Sequence, residues 1–459
     1  MARRTLWFMG VALAVGMVGF ALPGRASETR MAMRIFFQDE DAQTLKWADV
    51  PAGGTAVGVV ADVPGFPRLD TERQSLVQMA AASGLLMVGV RDDDDGNFQS
   101  GWVLVDTGVE AEDHGDHSHW RYVRPPRVRA VQLDTQQGNP AHLYCYDGVF
   151  YLANDQKSGF TRLDPGSISP ADDAAAIRQK SRFISGGGGH ITLAVHNRSL
   201  AFATWIDREG PNKGRVDIAA LSPAGAPAAV GSIYLPTGGL HGATACQGKV
   251  FLAPADGICW INVNLPLPLD PKLLAIHHVA LGRVDDKPLR TGAFHTLGKH
   301  VGFVTGAGKH AAVCFVDASQ SQLDLIRVPL KMADDNRPTG PALVQPRKGP
   351  PLAFVFHDHP ADVEAPNRLT IVELDPNRDG SWKDARIAQE LDVGKSRVVG
   401  HSGHHHVDFD ADGRYAVFTN PGDGTLVLMD LVRRSVLAEA RVGGAPSQIV
   451  AVGGRATKD

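Results

Sequence analysis

Short alternating apolar runs, each closed by Gly, Asp, Asn or Pro, recur along this chain, and hardly any stretch carries the period of an amphipathic helix. HLYCYDGVFYLANDQKSGFTRLD from His142, HGATACQGKVFLAPADGICWINV from His241 and HHHVDFDADGRYAVFTNPGDGTLVLMDL from His404 each read strand, tight turn, strand, turn, strand. A fourth strand follows each unit, as in LLAIHHVALG or VLAEARV. An all-β chain built from such units, repeating at about 40 to 65 residues, predicts a β-propeller, in which four-stranded blades stand radially around a channel.

Innermost strands are expected to begin near Met79, His142, His190, His241, His295, Ala342, His406 and Gln448, which makes eight blades. Seven would also fit, because the segment from 50 to 80 is irregular. The last innermost strand, SQIVAVGG, has too little chain after it to complete a blade. RIFFQDE and TLKWADV near the N-terminus are therefore expected to supply its outer strands and close the ring. On this reading residues 27–459 are one propeller domain. Two segments break the rhythm without resembling linkers: DPGSISPADDAAAIRQKSRF, which can carry a short helix, and the Pro-rich RPTGPALVQPRKGPP.

Residues 1–26 read as an export signal: Arg3 and Arg4 precede the apolar LWFMGVALAVGMVGFAL, and PGRA ends in small residues before Ser27. No Cys follows to take a lipid, and no later stretch has the roughly 18 apolar residues of a membrane helix, so a periplasmic protein without membrane insertion is expected. Loss of the three arginines of the signal takes the net charge from -4 to -7. That balance, without a basic patch, argues against nucleic acid and tolerates a cation. Cys145, Cys246, Cys259 and Cys314 lie in apolar strand-like segments and form no CxxC; one disulfide would be compatible with the compartment, but spacing assigns no pair.

The histidines change the picture. Aligning the units on their first tight turn puts His142, His190, His241, His295 and His406 at or near the start of an innermost strand, where a propeller faces its axis. Imidazoles arriving from different blades can hold a metal in a geometry that the protein fixes. GHSGHHHVDF adds His401, His404 and His405, and strand alternation favours His404 with His406 as the inward pair. His357 and His359 of FHDHP are second-rank candidates, because they fall in a hairpin. SGGGGH, residues 185–190, lacks the Lys-Ser/Thr of a phosphate loop and is read as permitting close backbone approach. DFDADG and DPNRDG start like calcium loops but lack the twelfth-position Glu, and RDDDDGN reads as a hairpin tip.

EDHGDHSHW, residues 112–120, packs His114, His117 and His119 among three acidic residues with no aliphatic side chain. It is read as a flexible loop that attracts cations.

The signal, the propeller-length repeat, the DHGDHSHW loop and the SGHHH strand together resemble the AztD-type periplasmic zinc metallochaperones. That resemblance implies a β-propeller that binds Zn(II) at propeller histidines and passes it to the solute-binding protein of a zinc ABC transporter, with the loop holding His114, His117 and His119 assisting capture or transfer. A non-enzymatic monomer is expected, and a His-rich loop beside a His-rich channel mouth suggests transfer by ligand exchange. From the residues alone, neutral imidazoles suit Cu(II) and Ni(II) as well as Zn(II). Three His completed by Asp, Glu or water make the expected tetrahedral set. Two other functions are compatible with the pattern, a metal-dependent lactonase-like propeller hydrolase and an interaction-only propeller. A copper enzyme resembling nitrous oxide reductase would require a cupredoxin-like domain with paired cysteines.

Overall fold

A computed structural model of the chain describes residues 30–457, except 95–97, 116–117, 222–226, 266–267, 334–335, 360–366 and 401. The expected export signal, His117 and His401 lie outside the described residues. The strands form seven four-stranded sheets, one five-stranded sheet and two small two-stranded ribbons. The eight larger sheets are the blades.

Blade 1 opens with Gln74–Ala82, blade 2 with Pro140–Tyr146, blade 3 with Leu193–His196 and blade 4 with Ala243–Cys246. Blades 5, 6 and 7 open with His295–Leu297, Ala342–Val344 and Val407–Phe409. Blade 8 is closed from both ends of the chain: Pro446–Val452 is innermost, followed outward by Met31–Asp39, Thr44–Pro51 and Ala61–Asp62. Its register pairs Phe36 with Val450 and Asp39 with Pro446. The eight-blade count and the two-ended closure therefore hold, and the segment 164–183 carries one α-helix, Ala174–Lys180. Among the described residues no helix is long and apolar enough to cross a membrane.

Second strands read as continuous apolar runs because both faces of each blade are covered. In Val149–Asn154, Phe150 and Leu152 pack toward blade 1, whereas Tyr151 and Ala153 pack toward blade 3. In Leu352–Asp358, Ala353 and Val355 face blade 5, and Phe354 and Phe356 face blade 7. The core is thus a series of clusters between neighbouring blades, not one central mass: the axis is left for polar side chains.

Strand direction gives the ring two different faces. Every innermost strand starts at one face, here the entrance face, and the connection after each second strand returns to it. The connection after each third strand lies at the opposite, exit face. The segment 107–126 is such a connection, between Ser100–Asp106 and Arg127–Asp134. Instead of the expected unstructured loop it forms a ribbon, Val109–Asp113 with Ser118–Tyr122, pairing Glu112 with His119 and Ala111 with Trp120. The sequence lacks an apolar period here because only the base of the ribbon is packed: Trp120 and Tyr122 lie against the core between blades 8 and 1. Arg34, almost fully buried, fastens that base through Asp49 and the carbonyls of Thr107 and Arg124. The Tyr122 hydroxyl donates to the Gly454 carbonyl, just past the last innermost strand.

Candidate metal centre

Three blades deliver imidazoles to one point at the entrance face. His142 lies on Pro140–Tyr146, while His190 and His241 stand three and two residues ahead of Leu193 and Ala243. One ring nitrogen from each lies within 4.8 Å of the other two. The Nε2 atoms of His142 and His190 are 2.9 Å apart, and the ring centroids of His190 and His241 are 5.0 Å apart. A tetrahedral zinc with Zn–N of about 2.0–2.1 Å holds its ligand nitrogens about 3.3 Å apart, so small rotations of the three rings suffice.

Two rings are oriented from behind. His190 Nδ1 lies 3.0 Å from Asp155 Oδ2, and the other carboxylate oxygen accepts the Ile191 backbone N–H at 3.0 Å. His241 Nδ1 lies 3.0 Å from the Gly292 carbonyl oxygen. Each acceptor fixes the proton on Nδ1 and turns the Nε2 lone pair to the centre, the arrangement that supports metal-bound imidazole. With His190 Nε2 as acceptor, the 2.9 Å contact makes His142 Nε2–H the donor, so metal binding must move this proton. Burial lowers the His241 pKa from its ordinary value, and the nearby His190 and Arg290 act in the same direction, which favours the neutral ligand form.

The glycine run seats His190. Gly187 and Gly189 adopt positive φ of 79° and 75°, and a Cβ on Gly188 would lie 2.4 Å from the Trp205 ring. Such a close approach admits no side chain. Below His142, alternation puts Tyr144 and Tyr146 on the same face, with stacked rings 6.0 Å apart, and the Tyr146 hydroxyl donates to the Leu193 carbonyl at 2.7 Å.

The remaining predicted histidines do not converge with these three. His404 Nδ1 contacts Asp358 Oδ2 at 2.7 Å, and His405 Nδ1 contacts Asp358 Oδ1 at 2.6 Å. Burial raises the Asp358 pKa, but these two hydrogen bonds outweigh it and hold the group down at about 2. His405 also meets the Gly394 carbonyl through Nε2 at 3.0 Å and stacks on Phe356, which makes it part of the wall. His406 Nε2 is 2.7 Å from the Gln448 amide nitrogen. His295 and His406 are both pushed down to about 4 by burial, His406 with a further contribution from His404. His295 is surrounded by protein yet keeps exposed surface. His357 and His359 are buried against Thr370 and Asn336.

Sequence reading missed Asp155 and the role of Asp358. Both sit at the end of a blade's second strand, Asp155 directly after Val149–Asn154 and Asp358 closing Leu352–Asp358. Each meets a histidine three residues ahead of the next innermost strand. The two pairs stand four blades apart, on opposite sides of the ring. Only the blade register exposes the equivalence, since the partners are 35 and 46 residues apart in sequence.

Glu112, His114 and His119 form a second group with ligand atoms within 4.8 Å of one another, largely exposed on the ribbon. The His114 and His119 ring centroids are 4.5 Å apart. This group lies at the exit face. An innermost strand such as Pro446–Val452 spans about 20 Å at ~3.3 Å per residue, so the expected swing of the loop onto the axial histidines is not available to this ribbon. All four cysteines are free thiols, so the one disulfide that the sequence left open is not formed.

No family model matches the chain, and no curated protein matches it. Solved structures do. Apo AztD from Citrobacter koseri aligns with a TM-score of 0.58 at 15% identity, over 93% of this chain and 100% of that one. A second AztD structure from the same organism gives 0.59 at 16%, over 94% and 100%.

The chain has an AztD-like fold.

Dihydro-heme d1 dehydrogenase NirN in complex with DHE shares the ring at a TM-score of 0.54 and 14% identity, over 92% of this chain and 75% of that one. The AztD-like ring thus frames sites that must be judged on this chain's own side chains.

Proposed function

We propose that this protein is a periplasmic zinc carrier that binds Zn(II) through His142, His190 and His241 and hands it to the solute-binding protein of a zinc ABC transporter. The observation that carries this reading is the convergence of three imidazole nitrogens within 4.8 Å, two of them oriented by Asp155 and the Gly292 carbonyl. Such a donor set suits a borderline ion like zinc. The AztD-like fold and the export signal agree with it. The carrier reading is preferred to a hydrolase on the AztD-like fold, since three imidazoles with an open position would suit either role. The cargo lies at the mouth of the ring, where a partner's ligands can replace the three histidines one at a time.

Glu112, His114 and His119 then act as a separate, weaker cation-attracting group at the other face. Their exposure gives little pre-organisation, and the carboxylates of the ribbon supply attraction.

The test is a zinc titration of the mature protein against a chromogenic chelator. His142→Ala, His190→Ala and His241→Ala should each weaken the tight site at least tenfold with an unchanged far-ultraviolet spectrum, whereas His404→Ala should leave it within threefold. Wild-type affinity in all three variants would remove the assignment, and absence of zinc transfer to the solute-binding protein from loaded wild type would remove the carrier role.

A further inference from the structure

At the exit face, between blades 7 and 8, a cavity of about 310 Å³ is lined by Ala32, Ala52, Gly53, Arg414, Tyr415 and Arg455. Its walls come from four places in the chain: the start of Met31–Asp39, the turn after Thr44–Pro51, the first turn of blade 7 and the segment after Pro446–Val452. The small residues leave the space, and the three larger ones supply its chemistry.

Two of the three are arginines, and Asp410 and Asp412 lie close behind them. Arg414 Nε is buried without a hydrogen-bond partner, its nearest carboxylate oxygen being Asp412 Oδ2 at 3.7 Å. The same oxygen already accepts the Arg455 backbone N–H at 2.8 Å. Among the described residues no carboxylate reaches the Arg455 guanidinium, and none accepts from the Tyr415 hydroxyl. Arg414, Tyr415 and the exposed Arg455 therefore border one cavity, with the Asp412 carboxylate on the Arg414 side and the Asp410 carboxylate held by the Arg414 and Tyr415 backbone N–H groups. The turn beside it is shaped for this ring: a Cβ on Gly54, which has φ +62°, would lie 2.7 Å from Tyr415 Cε1.

We propose that this cavity is a binding site for a small oxyanion, a carboxylate or phosphate group gripped by Arg414 and Arg455 and capped by the Tyr415 hydroxyl. Guanidinium forks match the paired oxygens of either group, and a partly buried setting strengthens the contact relative to open water. The site is at the face opposite His142, His190 and His241, and its occupancy does not depend on zinc.

Calorimetric titration of the mature protein with inorganic phosphate and, separately, with succinate, at constant ionic strength set with chloride, distinguishes the two sources. Saturable one-site binding of at least one is expected. Arg414→Gln and Arg455→Gln should each weaken it tenfold or more, and Tyr415→Phe should weaken it less. Far-ultraviolet dichroism and the zinc titration should match wild type in all three, which separates loss of the site from loss of the fold. Absence of saturable heat with both anions, or undiminished binding in both arginine variants, overturns the proposal.

Discussion

Replacing Asp155 by Asn isolates the contribution of the group behind the metal site without touching a ligand. Asp155 is 8% exposed and accepts twice, from His190 Nδ1–H at 3.0 Å and from the Ile191 N–H at 3.0 Å. Asn has the same shape. Its oxygen can keep the Ile191 bond, but its NH2 then faces His190 Nδ1 and requires a lone pair there. The His190 proton is driven to Nε2, the nitrogen proposed to bind zinc. Restoring the ligand tautomer forfeits a hydrogen bond and opposes two donors, at about 1.4–2.8 kcal/mol, or ten- to a hundredfold in zinc affinity. Competition with a chelating dye at pH 7.5 reads this directly, and nitrogen chemical shifts of the metal-free protein report the His190 tautomer. Asp155→Glu, which keeps the charge, should recover part of the loss. If Asp155→Asn binds zinc within twofold of wild type while His190→Ala does not, tautomer control by Asp155 is wrong.

Three further outcomes follow from the geometry. Deleting residues 112–119, which spares the packed Trp120, should leave the affinity of the axial site within threefold in the same dye competition, because the ribbon tip is at the other face; loss of tight binding would contradict the separation. His300 and His357 are buried, and burial pushes both imidazoles down to about 4, so between pH 6.5 and 4 the unfolded chain takes up protons that the folded one refuses. Their contribution is complete above pH 6.5 and is lost as pH falls through that window, up to about 3 kcal/mol for each, so chemical denaturation of His300→Phe should show a shallower acid slope than wild type. Arg34→Ala should cost about 3–5 kcal/mol in urea denaturation, since it strips Asp49 of its bidentate partner and releases two carbonyls at the ribbon base; a loss under 1 kcal/mol would make that ion pair an ordinary surface pair.

The propeller was legible because its information is local. A tight turn such as Asp147–Gly148 between two apolar runs dictates a hairpin wherever it occurs, and its recurrence pointed to eight blades with seven still open, a choice that the sheet order settled at eight. The unpaired SQIVAVGG likewise required RIFFQDE as a neighbour, since an innermost strand cannot stand alone. Histidines at innermost-strand starts were visible for the same reason: register relative to a turn is a property of a few consecutive residues. Their grouping was not. Five such histidines look equivalent in sequence, yet His142, His190 and His241 come from three adjacent blades and can meet, while His295 and His406 enter further round the ring and meet other groups.

Carboxylate partners were hidden for a related reason. Asp155 and Asp358 reach across a blade seam to chain that is 35 and 46 residues away, and no periodicity records a contact between blades. The acid-rich ribbon shows the same boundary from the other side. Its composition announced attraction for a cation, but whether it faces the axial histidines depends on which end of a blade the connection leaves. That end is set by strand parity within the folded ring: an even number of strand reversals returns the chain to the face where the innermost strands finish, on the far side of the channel from His142, His190 and His241.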